Sequence, residues 1–208
     1  IRHCVRAETP LNVVRVVLAP GVSVPAHMLA RSLSMTSACG VCGERTLEAL
    51  EKAGCEMLAC GRELYQPDAV RTAITSLDSA QAWFRHTGGT HGAALFDRGG
   101  QLLMHREDVG RHNALDKLVG ASLFTDVRER DAFVVVSSRA SFELVQKAVR
   151  ARIPMLVAIG APTSLAVSTA KRFSLTLIGF AKQSRFNVYS GIERIAHDEQ
   201  FVDVGAAE

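Results

Sequence analysis

Continuous apolar runs alternate with helical segments through the second half of the chain. The apolar runs are Phe133–Ser137, Pro154–Ile159 and Leu175–Phe180, and the helical patterns between them cover Ser141–Ala151 and Thr163–Arg172. Because apolar and polar residues do not alternate within these runs, we expect both faces of each strand to be buried. Such strands, joined by helices, predict βαβ units in a largely parallel sheet.

The first half of the chain predicts shorter elements. The turn sequence Asp97-Arg98-Gly99-Gly100, between His91–Asp97 and Gln101–His105, indicates a β-hairpin. The other predicted elements are a strand over Leu11–Ala19, a helix over Glu44–Ala53, a helix that begins at Pro67-Asp68, a helix over Asp78–Arg85, and one through Leu115, Leu118 and Val119.

Charge and hydropathy exclude two classes of partner. The net charge of +3 is too small for the strongly basic surface of a nucleic-acid-binding protein, although it suits a pocket for a small polyanion. No apolar run approaches the roughly 20 residues that span a bilayer, and no signal peptide is evident. We therefore expect a cytoplasmic protein that binds neither nucleic acid nor membrane. The start at Ile1, without an initiator Met, indicates a piece of a longer chain.

The cysteines point to reactivity or metal binding. Five cysteines, an odd number, argue against a disulfide framework. Cys39 and Cys42 lie in a loop of small residues just before the predicted helix, whose N-terminus favours a thiolate. A persulfide on one cysteine, with a second thiol nearby to release it, is reasonable chemistry. Spacing alone supports sulfur or redox chemistry, metal binding and no special role about equally.

Two metal-based alternatives are weaker. Cys55 and Cys60 would have to complete a zinc site with the first pair, but they follow a helix and are spaced less tightly than a zinc knuckle. A zinc deaminase needs H-x-E upstream and Pro directly before the first cysteine. Ala38 precedes Cys39, and no H-x-E occurs before it. We therefore predict no metal ligand.

Candidate ligand-binding residues follow the predicted strands. In parallel sheets ligands bind at the carboxyl ends of the strands. Ser138 and Arg139 follow one such strand and open a helix, which suits phosphate, although an ordinary serine cap is the alternative. Lys182 and Arg185 follow the last strand and add two cations at the same edge.

Further candidates come from a glycine turn and a charged loop. His91 follows Gly88-Gly89 at a strand start, where a histidine is more often structural but is also suited to bind phosphate or transfer a proton. Arg106, Arg111 and His112 belong to a dense polar segment that leads into a helix. A solvated surface is the plain alternative, yet the order Asp-Val-Gly-Arg-His-Asn is typical of an anion-binding loop.

Six stretches together resemble one family, that of the formate dehydrogenase accessory sulfurtransferases, FdhD. They are SACGVCG (37–43), TGGTHGAALFD (87–97), REDVGRHNALDKLVG (106–120), SSRASFELVQKA (137–148), GAPTSLAV (160–167) and GFAKQSRFNVY (179–189). The resemblance spans nearly the whole chain. It implies a cytidine-deaminase-like three-layer α/β/α sandwich with a small α+β appendage, and a homodimer.

The resemblance also implies the chemistry. Such proteins take persulfide sulfur from a cysteine desulfurase and pass it to the molybdenum (or tungsten) bis-guanine-dinucleotide cofactor, which activates formate dehydrogenase. Cys39 matches the persulfide-carrying cysteine and Cys42 its partner. The matching cofactor-binding segment, where a guanine nucleotide is also expected to bind, is Phe180, Ala181, Lys182, Gln183, Ser184 and Arg185. The alternative is a chaperone that inserts the cofactor without moving sulfur.

The same resemblance sets the expected domain boundaries. We expect residues 1–34 to be the remnant of an N-terminal α+β subdomain and residues 35–195 to form the sulfurtransferase domain. Residues 196–208 would then be a C-terminal tail.

Overall fold

The structure, a computed structural model, describes residues 2–3, 14–15, 17–23, 56–58, 64–125 and 132–196. All five cysteines and the predicted helix Glu44–Ala53 lie outside the described residues, so the predictions for them stay predictions. The chain divides into two compact units, Ile1–Thr36 and Ser37–Glu208.

In the first unit two short strands pair in antiparallel fashion. They are β1 (Arg2–His3) and β2 (Val14–Arg15). The predicted strand Leu11–Ala19 is too long at its end, because Val17 and Leu18 are exposed and lie outside any strand. A turn closed by Val22 N–H and the Ala19 carbonyl follows.

The second unit is built on one sheet of six described strands. In chain order its elements are α1 (Pro67–Ala80), α2 (Ala82–Thr87), β3 (His91–Phe96), β4 (Leu102–Asp108), α3 (Arg111–Ser122), β5 (Phe133–Val136), α4 (Phe142–Arg150), β6 (Met155–Ala158), α5 (Ser164–Arg172), β7 (Thr176–Gly179), β8 (Asn187–Ser190) and a 3₁₀ turn (Ile192–Arg194). The strand order is β4-β3-β5-β6-β7-β8.

The sheet is mixed rather than largely parallel. Among the six described strands, only β5, β6 and β7 run parallel, while β3, β4 and β8 are antiparallel to their neighbours. The prediction holds for the three central strands, which helices connect. It was wrong for the outer part of the sheet, because the β3–β4 turn and the β7–β8 loop are too short for a crossover and return the chain antiparallel.

Helices cover both faces of the sheet. On one face α3, α4 and α5 pack against side chains such as Val134, Val136 and Leu156. On the other, α1 packs against the alternate residues, among them Phe133 and Val135. Burying each large aliphatic or aromatic side chain contributes roughly 1.5–3 kcal/mol, so both faces stabilise the sheet. The α/β class with helices on both faces is confirmed.

The chain breaks between α1 and α2. The prediction of a single helix over Asp78–Arg85 was wrong, because Gln81 leaves the helical region with φ −75° and ψ 71°. Its side chain turns inward and is only 5% exposed. The helix α1 begins at Pro67, where the missing N–H costs nothing. None of the described helices is long and apolar enough to cross a membrane.

Candidate functional site

One edge of the sheet collects most of the predicted ligand-binding residues. The parallel strands β5, β6 and β7 all end there, and we term it the carboxyl edge. Because β3 is antiparallel to β5, its first residue lies at the same edge, where His91 pairs with Asp108, the last residue of β4. Strand polarity therefore brings loops from five strands together.

Hydrogen bonds join the loops of the carboxyl edge. The Ser137 amide donates to the Gly92 carbonyl, and the Ser137 hydroxyl accepts from the Gly92 amide, each at 2.9 Å. The Gly160 amide donates to the Ser138 carbonyl at 3.1 Å, and the Phe180 amide donates to the Gly160 carbonyl at 3.0 Å. These hydrogen bonds connect the segment after β5 to the segment after β6, and the segment after β6 to the segment after β7. The three segments therefore share one edge, as predicted.

The predicted cofactor segment forms a closed turn at this edge. Lys182 and Arg185 exchange backbone hydrogen bonds of 2.8 and 3.2 Å. The side chains of residues 182–185 are exposed, whereas Ala181 is buried. Phe180 has φ +50° and a ring that is 47% exposed. A positive φ is uncommon for a residue with a large side chain, and strained backbone of this kind clusters at functional sites.

Ser138 and Arg139 differ in their access to a ligand. Arg139 is exposed, and its side chain lies against Gly160, where an added Cβ would come within 2.8 Å of the Arg139 Cγ. Ser138 is buried, and its hydroxyl donates to the Arg139 carbonyl. Helix α4 begins after Ser141, which makes no side-chain cap. Arg139 is therefore the member of the pair that presents a polar group to solvent.

Two partly buried histidines stand near the carboxyl edge. Burial and then the Arg111 cation lower the pKa of His91. The same two causes, in the same order, lower the pKa of His112. Both rings therefore favour the neutral form near pH 7. Both ring nitrogens of His112, the Arg111 Nε and the Ser141 hydroxyl are buried atoms without a hydrogen-bond partner.

Asp108 organises the loop that presents Arg111 and His112. Its carboxylate accepts from the Gly110 amide at 2.9 Å and from the Asn113 side chain at 3.1 Å, and it pairs with Lys117. The Lys117 hydrogen bond, followed by that from Gly110, lowers the pKa of Asp108. This motif residue has a structural role in setting the start of α3.

Arg106 is the predicted residue that lies away from the edge. It sits in β4 opposite Ala93, two residues before the strand ends, and it donates to the His105 carbonyl. Spacing along the chain suggested a loop here, but β4 continues through Asp108. Among the described residues, no group of three His, Cys, Asp or Glu side chains is placed to hold a metal ion.

A cavity of about 560 Å³ opens beside the edge, next to α1. We term it the α1 cavity. Its lining includes three predicted site residues, His91, Ala181 and Gln183. Among the lining residues that the sequence did not suggest are Gln81 and Phe84. The last two were missed because they fit the pattern of one continuous helix. The remaining lining residues are Ile74, Thr75, Leu77, Asp78, Thr90, Ser137 and Ile159.

Comparison with known proteins places this chain in a family. The sequence model of the FdhD/NarQ family matches residues 7–196. The chain belongs to the FdhD/NarQ family. The resemblance read from the six sequence stretches is thereby confirmed, and most of the carboxyl edge falls within those stretches.

Named relatives of this FdhD/NarQ chain come from several bacteria. The sulfur carrier protein FdhD of Streptomyces coelicolor is 46% identical over 187 residues, which cover 89% of this chain and 66% of the relative. That of Mycobacterium tuberculosis is 43% identical over 185 residues, covering 88% and 67%. The chain thus spans about two thirds of the length of these relatives.

A solved structure has a similar fold. It is the crystal structure of a protein assigned as a formate dehydrogenase accessory protein from Desulfotalea psychrophila. The similarity has a TM-score of 0.63 at 29% identity, and it covers 68% of this chain and 59% of that one.

Proposed function

We propose that this protein is a sulfur carrier in the maturation of formate dehydrogenase. In this proposal Cys39 accepts persulfide sulfur from a cysteine desulfurase, with Cys42 as its partner. The sulfur then passes to the molybdenum (or tungsten) bis-guanine-dinucleotide cofactor, which is a bound substrate. The proposal includes a homodimer with a cytidine-deaminase-like fold that works in the cytoplasm.

The cations that lie together at the carboxyl edge support the proposal that the chain binds the cofactor that receives the sulfur. Arg139, Lys182 and Arg185 are exposed on loops that follow β5 and β7, so an anion bound there has three cations within the same edge. Guanidinium and ammonium groups are the usual protein partners of phosphate. A guanine dinucleotide carries two negatively charged phosphates for each guanine, and these phosphates suit the positive charges of the three side chains. The names of the relatives support the sulfur-carrying half.

The sulfur step is tested by labelling. The purified chain is incubated with a cysteine desulfurase and cysteine labelled in its sulfur, and the adduct is mapped by mass spectrometry. We expect one extra sulfur on Cys39, lost on reduction and absent from the Cys39→Ser variant. The Cys55→Ser variant is the matched control and should be labelled like the native chain. An unlabelled native chain would contradict the proposal.

Activation of formate dehydrogenase separates the carrier from a cofactor chaperone. Cells that lack their own copy of the protein are supplied with the native chain or with Cys39→Ala. A sulfur carrier predicts that Cys39→Ala leaves formate dehydrogenase inactive while the cofactor is still inserted. If the variant restores activity fully, the chaperone function is correct and sulfur transfer is not.

A further inference from the structure

Helix α2 contributes no side chain to the core. All six of its residues are at least partly exposed, and Trp83 and Phe84 are 69% and 43% exposed although both are large and aromatic. A surface helix usually buries one apolar face. A segment with so little buried apolar surface has low local stability, and the lids of ligand sites are drawn from such segments. Polar contacts therefore have to hold α2 against the rest of the unit.

Two polar side chains tether α2 to its neighbours. The Glu107 carboxylate, in β4, accepts from the Trp83 and Phe84 amides within 3.0 Å. The Arg85 guanidinium donates to two carbonyls in the last turn of α1. Both sets of contacts lie at exposed positions, so water competes for each hydrogen bond. Because their release uncovers no core, α2 is able to detach while α1 and the sheet stay folded.

Non-helical backbone at both ends lets α2 turn as a unit. Gln81 has φ −75° and ψ 71°, and its buried side chain anchors this end. At the other end Gly88 has φ +64°, a conformation that favours glycine, and Gly89 follows. An added Cβ on Gly88 would meet no atom within 4 Å, so the space around this turn is free. Hinges of moving segments are short stretches of this kind at the ends of elements.

Helix α2 supplies part of the wall of the α1 cavity. Phe84 lines the cavity, and so does Thr90, whose hydroxyl donates to Glu107. Ala181 and Gln183, from the proposed cofactor segment, form another part of the wall. One part of the wall therefore belongs to the sheet edge, while the part that carries Phe84 is held by polar contacts. Movement of α2 takes Phe84 out of the wall and widens the cavity.

We propose that α2 is the gate of the α1 cavity and that Glu107 is the latch that holds it in place. The gate opens when Glu107 releases the amides of α2, and a ligand enters or leaves in that state. Glu107 does not belong to the described lining of the cavity, so it is a positioning residue. The inference rests on the proposed function for its probe, GDP, since a guanine nucleotide is expected at the segment that includes Ala181 and Gln183.

The rates of GDP binding test the gate. Stopped-flow mixing with GDP that carries a fluorescent label on its ribose gives kon and koff for the full chain. Glu107→Gln weakens the latch equally with and without ligand. We therefore expect both rate constants to rise about fivefold while Kd stays within about twofold. Glu193→Gln, in the exposed 3₁₀ turn next to β8 at the opposite edge of the described sheet, is the control and should keep the native rates.

A second variant and two further measurements follow the helix itself. Arg85→Met removes the other tether and should raise both rate constants in the same way. Trp83 is the only tryptophan of the chain and lies on α2 outside the cavity lining, so its emission should change as GDP binds. Hydrogen exchange of the α2 amides should be faster than that of α1 in the native chain. It should rise about fivefold further in both variants, while α1 and β3 keep their native exchange.

The outcomes separate the gate from a fixed wall and from the proposed function. A rise in koff alone, with Kd raised in step, shows that Glu107 supports a fixed wall and overturns the gate. Native binding rates in both variants overturn it as well, even if α2 exchanges faster. If the native chain binds no GDP, the proposed cofactor is wrong, and α2 amides that exchange as slowly as those of α1 then overturn the gate too. Persulfide loading of Cys39 reports independently whether the chain carries sulfur.

Discussion

Gln81 and Gly92 are adjacent in space although they belong to different elements. The amide of Gln81 occupies the space that a side chain at position 92 would fill. Gly92 also exchanges hydrogen bonds with Ser137, which fixes the start of β3 against the end of β5. The glycine is therefore required by close packing, and its conformation itself is an ordinary one for a strand.

At the residue scale we predict strong coupling between these two positions. Gly92→Ala should lower the free energy of unfolding by about 1–3 kcal/mol, because the new methyl group overlaps the Gln81 side chain. In a Gln81→Ala background the space is free, so most of that loss should disappear. Urea denaturation of the four chains of the double-mutant cycle measures the coupling. Additive losses would show that the two side chains do not compete for this space.

Helix α2 depends on one carboxylate from another element. None of its side chains is buried. The carboxylate of Glu107, in β4, accepts from the Trp83 and Phe84 amides at 3.0 and 2.8 Å and from the Thr90 hydroxyl at 2.8 Å. Burial on its own raises the pKa of Glu107, but the hydrogen bonds from Thr90, Trp83 and Phe84 outweigh it, so the pKa is lowered. An acidic group also interacts favourably with a helix N-terminus.

At the scale of the element, Glu107→Gln should loosen α2. We expect a loss of about 1 kcal/mol at pH 7, because one charge-assisted acceptor is removed. Since the folded pKa lies below the ordinary value of 4.5, the stabilisation is present above that pH and is lost as the pH falls through the folded pKa. Between pH 5 and pH 3 the native chain should therefore lose more stability than the variant.

Thermal denaturation of the native chain and of Glu107→Gln between pH 5 and pH 3 measures the two losses of stability. Asp68→Asn is the control, since Asp68 is an exposed partner of Arg71 and should contribute little. Equal pH dependence in the native chain and Glu107→Gln would contradict the assigned role.

Across the second unit, Arg194 joins segments that are distant in sequence. It is 2% exposed, and its guanidinium donates to the Ser174 carbonyl at 2.6 Å and to the Leu58 carbonyl at 3.4 Å. Beside it, the Tyr65 amide donates to the Arg194 carbonyl, and the Tyr65 carbonyl accepts from the Ala196 amide. The segment that precedes α1 is thereby fixed to the segment that follows β8.

At the scale of the molecule, Arg194→Met should destabilise the whole second unit by about 2–4 kcal/mol. The buried carbonyls of Ser174 and Leu58 lose a charged donor, and methionine supplies none. Urea denaturation should give a lower midpoint with one cooperative transition. Arg150→Met, at the exposed end of α4, is the control and should change stability by less than about 0.5 kcal/mol. A native midpoint in Arg194→Met would contradict this role.

Local patterns were sufficient to predict most elements of the second unit. The apolar runs at β5, β6 and β7 and the helices between them lie within a few residues of their predicted bounds. The carboxyl edge follows from these elements, because strands joined by helical crossovers run parallel and therefore end at the same edge of the sheet. Arg139 and the turn of residues 180–185 could therefore be placed at one edge from sequence alone. The position of His91 at that edge depends on the antiparallel pairing of β3 with β5, which the sequence did not predict.

Other features depended on contacts between distant residues. The break at Gln81 has no local signal, since its neighbours fit a helical pattern. Its buried side chain occupies space that is free because position 92, distant in the sequence, is a glycine. The antiparallel return of β8 depends on the reach of the loop after β7. The α1 cavity is lined by residues such as Gln81, Ser137 and Gln183, which are far apart in the chain and meet only in the folded protein. The sequence by itself determined the α/β class, the three parallel central strands and the edge at which ligands are expected, because periodicity and strand ends are local. Only the tertiary structure decided where a cavity opens beside this edge, because a cavity is the space that several distant side chains leave unfilled.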